Sequence, residues 1–229
     1  MDAHGPQAAL GVPGRKSTKA SLIDVAEKFF GTHGLEGSSL REIAAAAGQR
    51  NYNAVQYHFG SKRGLINAIL DVRFREVDEI RKKLIAARYA DADIAALSVS
   101  ELLRLIWEPV FFIAHSGVSD FCRFQLQYRL NSYEADHPFY ALDESSVLRE
   151  AISRDQSRPS MYKVAEALRN KLPHLDEASF HKRTATIGYM FLCFVVEQDN
   201  ARLRKGSASA EPDFELILEM MTAALSVPV

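Results

Sequence analysis

A chain of 229 residues, 47% hydrophobic and 25% charged, is long enough for one large domain or two small ones and can bury a core, which excludes a disordered or fibrous protein. Two cysteines are too few for a disulfide framework and the apolar run 187–196 is half of the about 20 residues a bilayer needs. The first twenty residues also lack the basic start and apolar stretch of a secretory signal, so a soluble, cytoplasmic protein is expected. The net charge of −1 is uneven: residues 15–64 carry eight basic and four acidic side chains, and 65–229 carry twenty basic and twenty-four acidic, so only the N-terminal part is suited to a polyanion unless the asymmetry is a chance fluctuation.

Residues 1–14 are Gly/Pro/Ala-rich and aperiodic, which predicts a disordered tail. Leu22, Val25, Ala26, Phe29 and Phe30 then lie on one face of a helix. Ser21 and Asp24 have capping-box spacing, Thr18 is an alternative cap, and Gly31 and Gly34 mark the end. A second helix opens at Ser39, with Glu42 completing a capping box, and stops at Gly48. A third covers about Asn51 to Phe59 and ends at Gly60. Ser61 caps a fourth that runs from Lys62 to about Arg88, with Leu65, Ile66, Ile69, Leu70, Val77, Ile80 and Leu84 in helical register.

Beyond it the signals stay helical. Ser98 and Glu101 form another capping box before an apolar helix over 99–115 that contains Pro109. Ser119 is placed to cap a helix with Phe121, Phe124 and Tyr128. A loop is expected over 132–145, a helix over 146–172 broken near Pro159, a long helix over 176–204, a loop at KGSASAEPD and a last helix over 211–226. No alternating strand pattern and no repeat occurs, so the fold class is all-α.

Three short helices with a glycine turn between the second and third read as a helix-turn-helix. Its third helix opens with Arg50, Asn51, Tyr52, Asn53 and Gln56, side chains suited to base edges in a major groove. A plain three-helix cap with a polar outer face is the alternative. The stretch GLEGSSLREIAAAAGQRNYNAVQYHFGSKRGLI resembles the DNA-binding domain of the TetR family of bacterial transcriptional repressors, over roughly residues 18–66. The resemblance rests on Gly34, Ser39, Ile43-Ala44, Ala47-Gly48, His58-Phe59, Ser61-Lys62 and Leu65. From Gln49 to Phe59 the chain is one residue longer than the family pattern, and Gln56 stands where the family has Tyr, with Tyr57 one step later. The family implies an N-terminal helix-turn-helix domain (15–64) and a C-terminal helical domain for ligand binding and dimerisation (65–229).

The resemblance implies that Ser39 and Lys62 contact phosphate, with Tyr57 and His58 as further candidates. Ser39 is a helix cap whatever it binds, His58 has a packing alternative, and Phe59 reads as core. Arg15, Lys16 and Lys19 form a basic arm that lies on DNA or is merely solvated. One such domain reads few base pairs, so a homodimer on a palindromic double-stranded operator is expected.

In the body the aromatics concentrate, and Trp107, Phe111, Phe124, Tyr128 and Tyr189 are candidate lining for a small-molecule effector, with ordinary core as the alternative. Arg123, Gln125, Gln127 and Arg129 are candidate polar anchors, most of them expected at the solvated surface. The last two helices resemble the pair through which the family dimerises. Residues 189–196 are apolar in every direction round a helix, which calls for burial on all sides.

No phosphate loop, G-x-S-x-G or H-E-x-x-H occurs, and the His and Cys residues lack metal-ligand spacing. No enzyme, metal or cofactor is expected. The sequence therefore points to a DNA-binding regulator, most simply a repressor released by a small apolar or aromatic effector. The alternative is a DNA-binding architectural or assembly factor whose body binds only protein partners.

Overall fold

A computed structural model describes residues 17–49, 51, 53–116, 120–131, 159–205 and 213–227. In chain order these form α1 (Thr18–His33), α2 (Leu40–Ala46), α3 (Ala54–Phe59), α4 (Lys62–Arg88), a 3-10 turn (Ile94–Ala96), α5 (Val99–His115), α6 (Phe121–Asn131), α7 (Pro159–Asn170), α8 (Glu177–Lys205) and α9 (Phe214–Ser226). The fold is all-α, with no strand among the described residues. The expected tail at 1–14, the Ser119 cap, the loop over 132–145, the first part of the 146–172 helix and most of the KGSASAEPD loop lie outside the described residues.

Helix starts follow local chemistry. The cap of α1 is Ser17, whose Oγ accepts from Ala20 N at 3.2 Å, so neither Ser21 nor Thr18 opens the helix. Its buried face is Leu22, Ile23, Ala26 and Phe30. Gly31 does not end α1, which runs on to His33 and stops at Gly34 with φ 76°. Gly31 is where α6 crosses: a Cβ there would sit 3.0 Å from Arg123 Cβ and 3.2 Å from Phe124 N. Phe30 packs beside Phe124, ring centroids 6.1 Å apart, so the N-terminal helices rest directly on the body.

The capping box of α5 is complete, with Ser98 N and Oγ both donating to Glu101 Oε2. Pro109 stands inside α5 without ending it, at the loss of one ladder hydrogen bond. Leu102, Leu103 and Leu105 are fully buried, and one contiguous apolar cluster runs from Leu22 to Leu225.

Buried charges tie α4 to its neighbours. Arg73 donates to Glu27 Oε2 (2.5 Å), Asp24 Oδ1 (3.0 Å) and Glu76 Oε2 (2.9 Å). Burial works against its charge, but the attraction and hydrogen bonds of Glu27, then Glu76, hold the guanidinium above its ordinary pKa. Lower on α4, Asp78 Oδ1 accepts from Arg81 Nη1 (2.8 Å), Ser160 Oγ (2.5 Å) and Met161 N (3.3 Å). That carboxylate thereby caps the start of α7, while Arg81 Nε reaches Leu105 O of α5 at 2.8 Å. Cys122 is buried, which pushes its thiol pKa up, whereas Cys193 is exposed on α8. No helix among the described residues is long and apolar enough to cross a membrane.

Candidate nucleic-acid interface

The helix-turn-helix is assembled from its caps outward. Ser39 Oγ accepts from Arg41 N at 3.2 Å, and Glu42 Oε2 accepts from Ser39 N at 3.3 Å. With its oxygen used as an acceptor, the exposed Ser39 hydroxyl keeps its O–H free to donate to a phosphate. Ile43 and Ala44 bury α2 against the core. Gly48 then takes φ 70°, and its N–H and that of Gln49 return to Ala45 O and Ala44 O, both at 2.9 Å. This closes α2 and redirects the chain.

α3 is shorter than the sequence predicts. Asn51 Oδ1 accepts from Asn53 N at 2.9 Å, and Asn51 O accepts from Ala54 N at 3.0 Å, so an Asx turn occupies the positions expected as the first helical turn. Val55 is the buried anchor of α3. Asn53, Gln56 and Tyr57 are exposed, Tyr57 at 85%, and together they form the outward face. Asn51 is exposed too, but its side-chain oxygen is engaged, which leaves its N–H groups for a partner. Arg50 and Tyr52 lie outside the described residues. His58 is half-buried, its ring edge-on to Tyr57 at 5.0 Å. Phe59, expected as core, is only half-buried and carries the Lys19 ammonium 5.9 Å above its ring.

The corner from α3 to α4 is tight. Gly60 has φ 72°, and Ser61 Oγ accepts from Gly64 N at 3.0 Å. A Cβ on Gly64 would lie 1.9 Å from Phe59 O, so only glycine fits there. Lys62 is half-buried at the first position of a 27-residue helix, an end whose unsatisfied N–H groups favour anions. Arg41 and Arg63 are exposed beside Ser39 and Lys62. The sequence candidates omit both, although adjacency to the two helix starts is the signal that finds them.

Among the described residues, the body candidates meet the following neighbours. Trp107 is buried with its ring centroid 4.6 Å from Phe191. Phe111 packs on His115 (4.0 Å) and Phe214 (5.1 Å). Phe124 is fully buried between Phe30, Phe121 and Tyr128, the last at 6.2 Å. Tyr189 donates its hydroxyl to Arg129 O at 3.3 Å. A groove of about 490 Å³ lies elsewhere, along α4 and the end of α5, bordered by Arg73, Glu76, Ile80, Lys83 and Ile113, and none of the five lines it. Of the polar candidates, Gln125 and Arg129 are buried and Arg123 and Gln127 half-buried, so the expected solvated positions are not found. No cluster of three or more metal-ligating side chains occurs among the described residues.

Residues 22–69, from α1 through the first turns of α4, match the profile of the bacterial regulatory proteins of the tetR family. The N-terminal domain of this chain is a tetR-family domain. That match supports a DNA-binding regulator. A structure assigned to the tetR family of transcription regulators, from Shewanella sp. PV-4, shares the fold at 15% identity, covering 92% of this chain and 96% of that one with a TM-score of 0.52. The chain is also similar to a transcriptional regulator from Streptomyces coelicolor (18% identity, 91% and 96% covered, TM-score 0.47). A gamma-butyrolactone receptor described as ArpA-like is a third (22% identity, 89% and 83% covered, TM-score 0.47). No curated protein matches the chain.

Proposed function

We propose that this tetR-family protein is a cytoplasmic repressor that binds a palindromic operator as a homodimer and leaves it when a small apolar or aromatic effector occupies its body. The observation that carries the DNA half is the exposed polar face of α3, Asn53, Gln56 and Tyr57, set between the helix starts at Ser39 and Lys62. In this reading the helix starts grip phosphates and fix register, while α3 reads base edges.

The dimer half is supported by apolar side chains left outside on the last two helices: Leu216 and Met220 are each 47% exposed on α9, and Met190 and Phe194 are half-buried on α8. Such a stripe is what a second copy would cover. The division into a DNA-binding part (15–64) and a ligand-binding and dimerising part (65–229) belongs to the same proposal. Release works through the long α4, which begins at Lys62 and is held to α1 by Arg73 and to α5 and α7 by Arg81 and Asp78. A ligand that binds better when α4 is tilted shifts the population away from the operator-bound form.

The test is selection of bound sequences from a random DNA pool, followed by titration of small molecules into the selected complex. The expected result is a two-fold-symmetric site whose complex dissociates on effector binding. Absence of any enriched sequence sinks the DNA half; a complex that no effector disturbs sinks the release half.

A further inference from the structure

Gln125 stands in the middle of the aromatic face of α6, with Phe121 one turn before it and Tyr128 and Arg129 one turn after. It is 1% exposed, and neither its Oε1 nor its Nε2 has a hydrogen-bond partner. Native proteins rarely leave a buried amide in that condition without a use for it. Arg129 is buried beside it at 8% exposure, its guanidinium 5.5 Å over the ring of Tyr189. α8 is cut away to admit it: a Cβ on Gly188 would lie 2.6 Å from Arg129 Nη1. A glycine inside a long helix weakens that helix, so the space given to the guanidinium is bought at a local cost.

We infer that Gln125 and Arg129 form the polar end of the effector site, and that its occupant is an apolar molecule bearing a carboxamide-type group, a planar carbonyl oxygen beside an N–H. The inference deepens the ligand-release reading and rests on it. The chemistry follows from the donors and acceptors. Gln125 presents an acceptor and two donors in one plane, and Arg129 presents donors only. A carbonyl oxygen takes hydrogens from Gln125 Nε2 and from the guanidinium, and the neighbouring N–H satisfies Gln125 Oε1. A ketone or a carboxylate leaves Oε1 unpaired, and a hydrocarbon leaves both amide atoms so. The half-buried ring of Tyr128, one turn beyond Gln125, suits a flat apolar body.

Two measurements on the full chain test this. The first needs no ligand: thermal unfolding of Gln125→Met and Gln125→Leu. Removing an unsatisfied buried amide is expected to raise Tm by about 2 °C or more in at least the Met variant, whose shape is closest. The second is calorimetric titration of wild type and Gln125→Met with 2-naphthamide, 2-acetonaphthone and naphthalene. Wild type is expected to bind the amide at least about tenfold more tightly than the ketone, and the Met variant to level the series. A fall in Tm in both variants shows that the amide has an internal structural role and overturns the inference. A wild type that ranks amide and ketone equally, or binds none of the three, overturns it too. Operator release is read separately: a protein that prefers the amide yet keeps its operator at saturating 2-naphthamide retains this site and loses the release reading.

Discussion

Arg73 of α4 and Glu27 of α1, 46 residues apart in sequence, meet at 2.5 Å with both side chains buried. Their hydrogen bond sets the angle between the N-terminal helices and the long helix that leaves them. A buried pair broken on one side leaves the other charge desolvated, so Glu27→Gln is expected to destabilise the protein by about 3 kcal/mol in urea unfolding. Asp24 and Glu76 still compensate Arg73, which keeps the loss at the lower end of the usual range. A double Glu27→Leu, Arg73→Met variant is expected to recover most of it. A single variant within about 0.5 kcal/mol of wild type, the range of ordinary surface changes, is the contrary result.

For DNA, Lys62→Ala and Asn53→Ala separate grip from reading. The first is expected to weaken binding to every sequence and to flatten the salt dependence by about one phosphate's worth. The second is expected to leave that slope alone and to relax the preference at one or two base positions. Affinities over a salt series on selected and scrambled duplexes decide, and exchanged behaviour means that α3 is not the reading element.

Gly64→Ala places a methyl group where Phe59 O already stands. The corner between α3 and α4 must open, with a cost of about 1–3 kcal/mol and a displaced α3. DNA binding is expected to fall at least tenfold, roughly 1.4 kcal/mol or more of the affinity, while circular dichroism keeps its helical signal. Unchanged DNA binding shows that the corner has room the geometry denies.

His115 provides the pH dependence. Burial lowers its pKa, opposed by its hydrogen bond with Phe111 O and by the charge of Asp199, while Arg202 adds to the lowering. The unfolded chain protonates its histidines near pH 6.5 and the folded chain protonates His115 only below that. Between the two values the unfolded state holds more protons, so stability falls as pH drops through about 6.5. Asp199 acts with the opposite sign at lower pH: burial raises its carboxyl pKa against the pull of His115, Arg123 and Arg202, with Asp120 raising it further. Melting curves from about pH 7.5 to 5.5 are expected to be flatter for His115→Phe than for wild type. Parallel curves are the contrary result.

Leu216 and Met220 stand one turn apart on α9, both half-exposed. Leu216→Glu with Met220→Glu puts two carboxylates where a second copy would dock. Sedimentation at micromolar protein is expected to show monomers and DNA affinity to fall sharply. A dimer that survives both changes places its contact on another face.

The sequence makes the short-range parts of this structure legible. Ser39 with Glu42, Ser98 with Glu101, Gly48, Gly60 and Ser61 declare their helix ends because cap and partner lie within four residues. Ser17 and the Asx turn at Asn51 are missed because several Ser, Thr and Asn residues compete for each cap, and small differences decide. The role of Gly31 depends on α6, whose contact residues lie some ninety positions away, so spacing reads it as a stop. Gln125 and Arg129 look like solvated surface for the same reason: what buries them is α8 and the core, not their neighbours in sequence. Of the residues proposed to face DNA, residue types and helix starts are readable in the sequence, but which atoms are already engaged is not.

The two cysteines divide the labour of chemistry unequally: Cys122 is sealed and its thiol held protonated, so an alkylating reagent finds only Cys193. The wild-type chain thus comes with a single address for a spin label or dye, placed on α8 beside the stripe where a twin would sit. How fast that address accepts a reagent, as protein is diluted, is a clock for whether the stripe is covered.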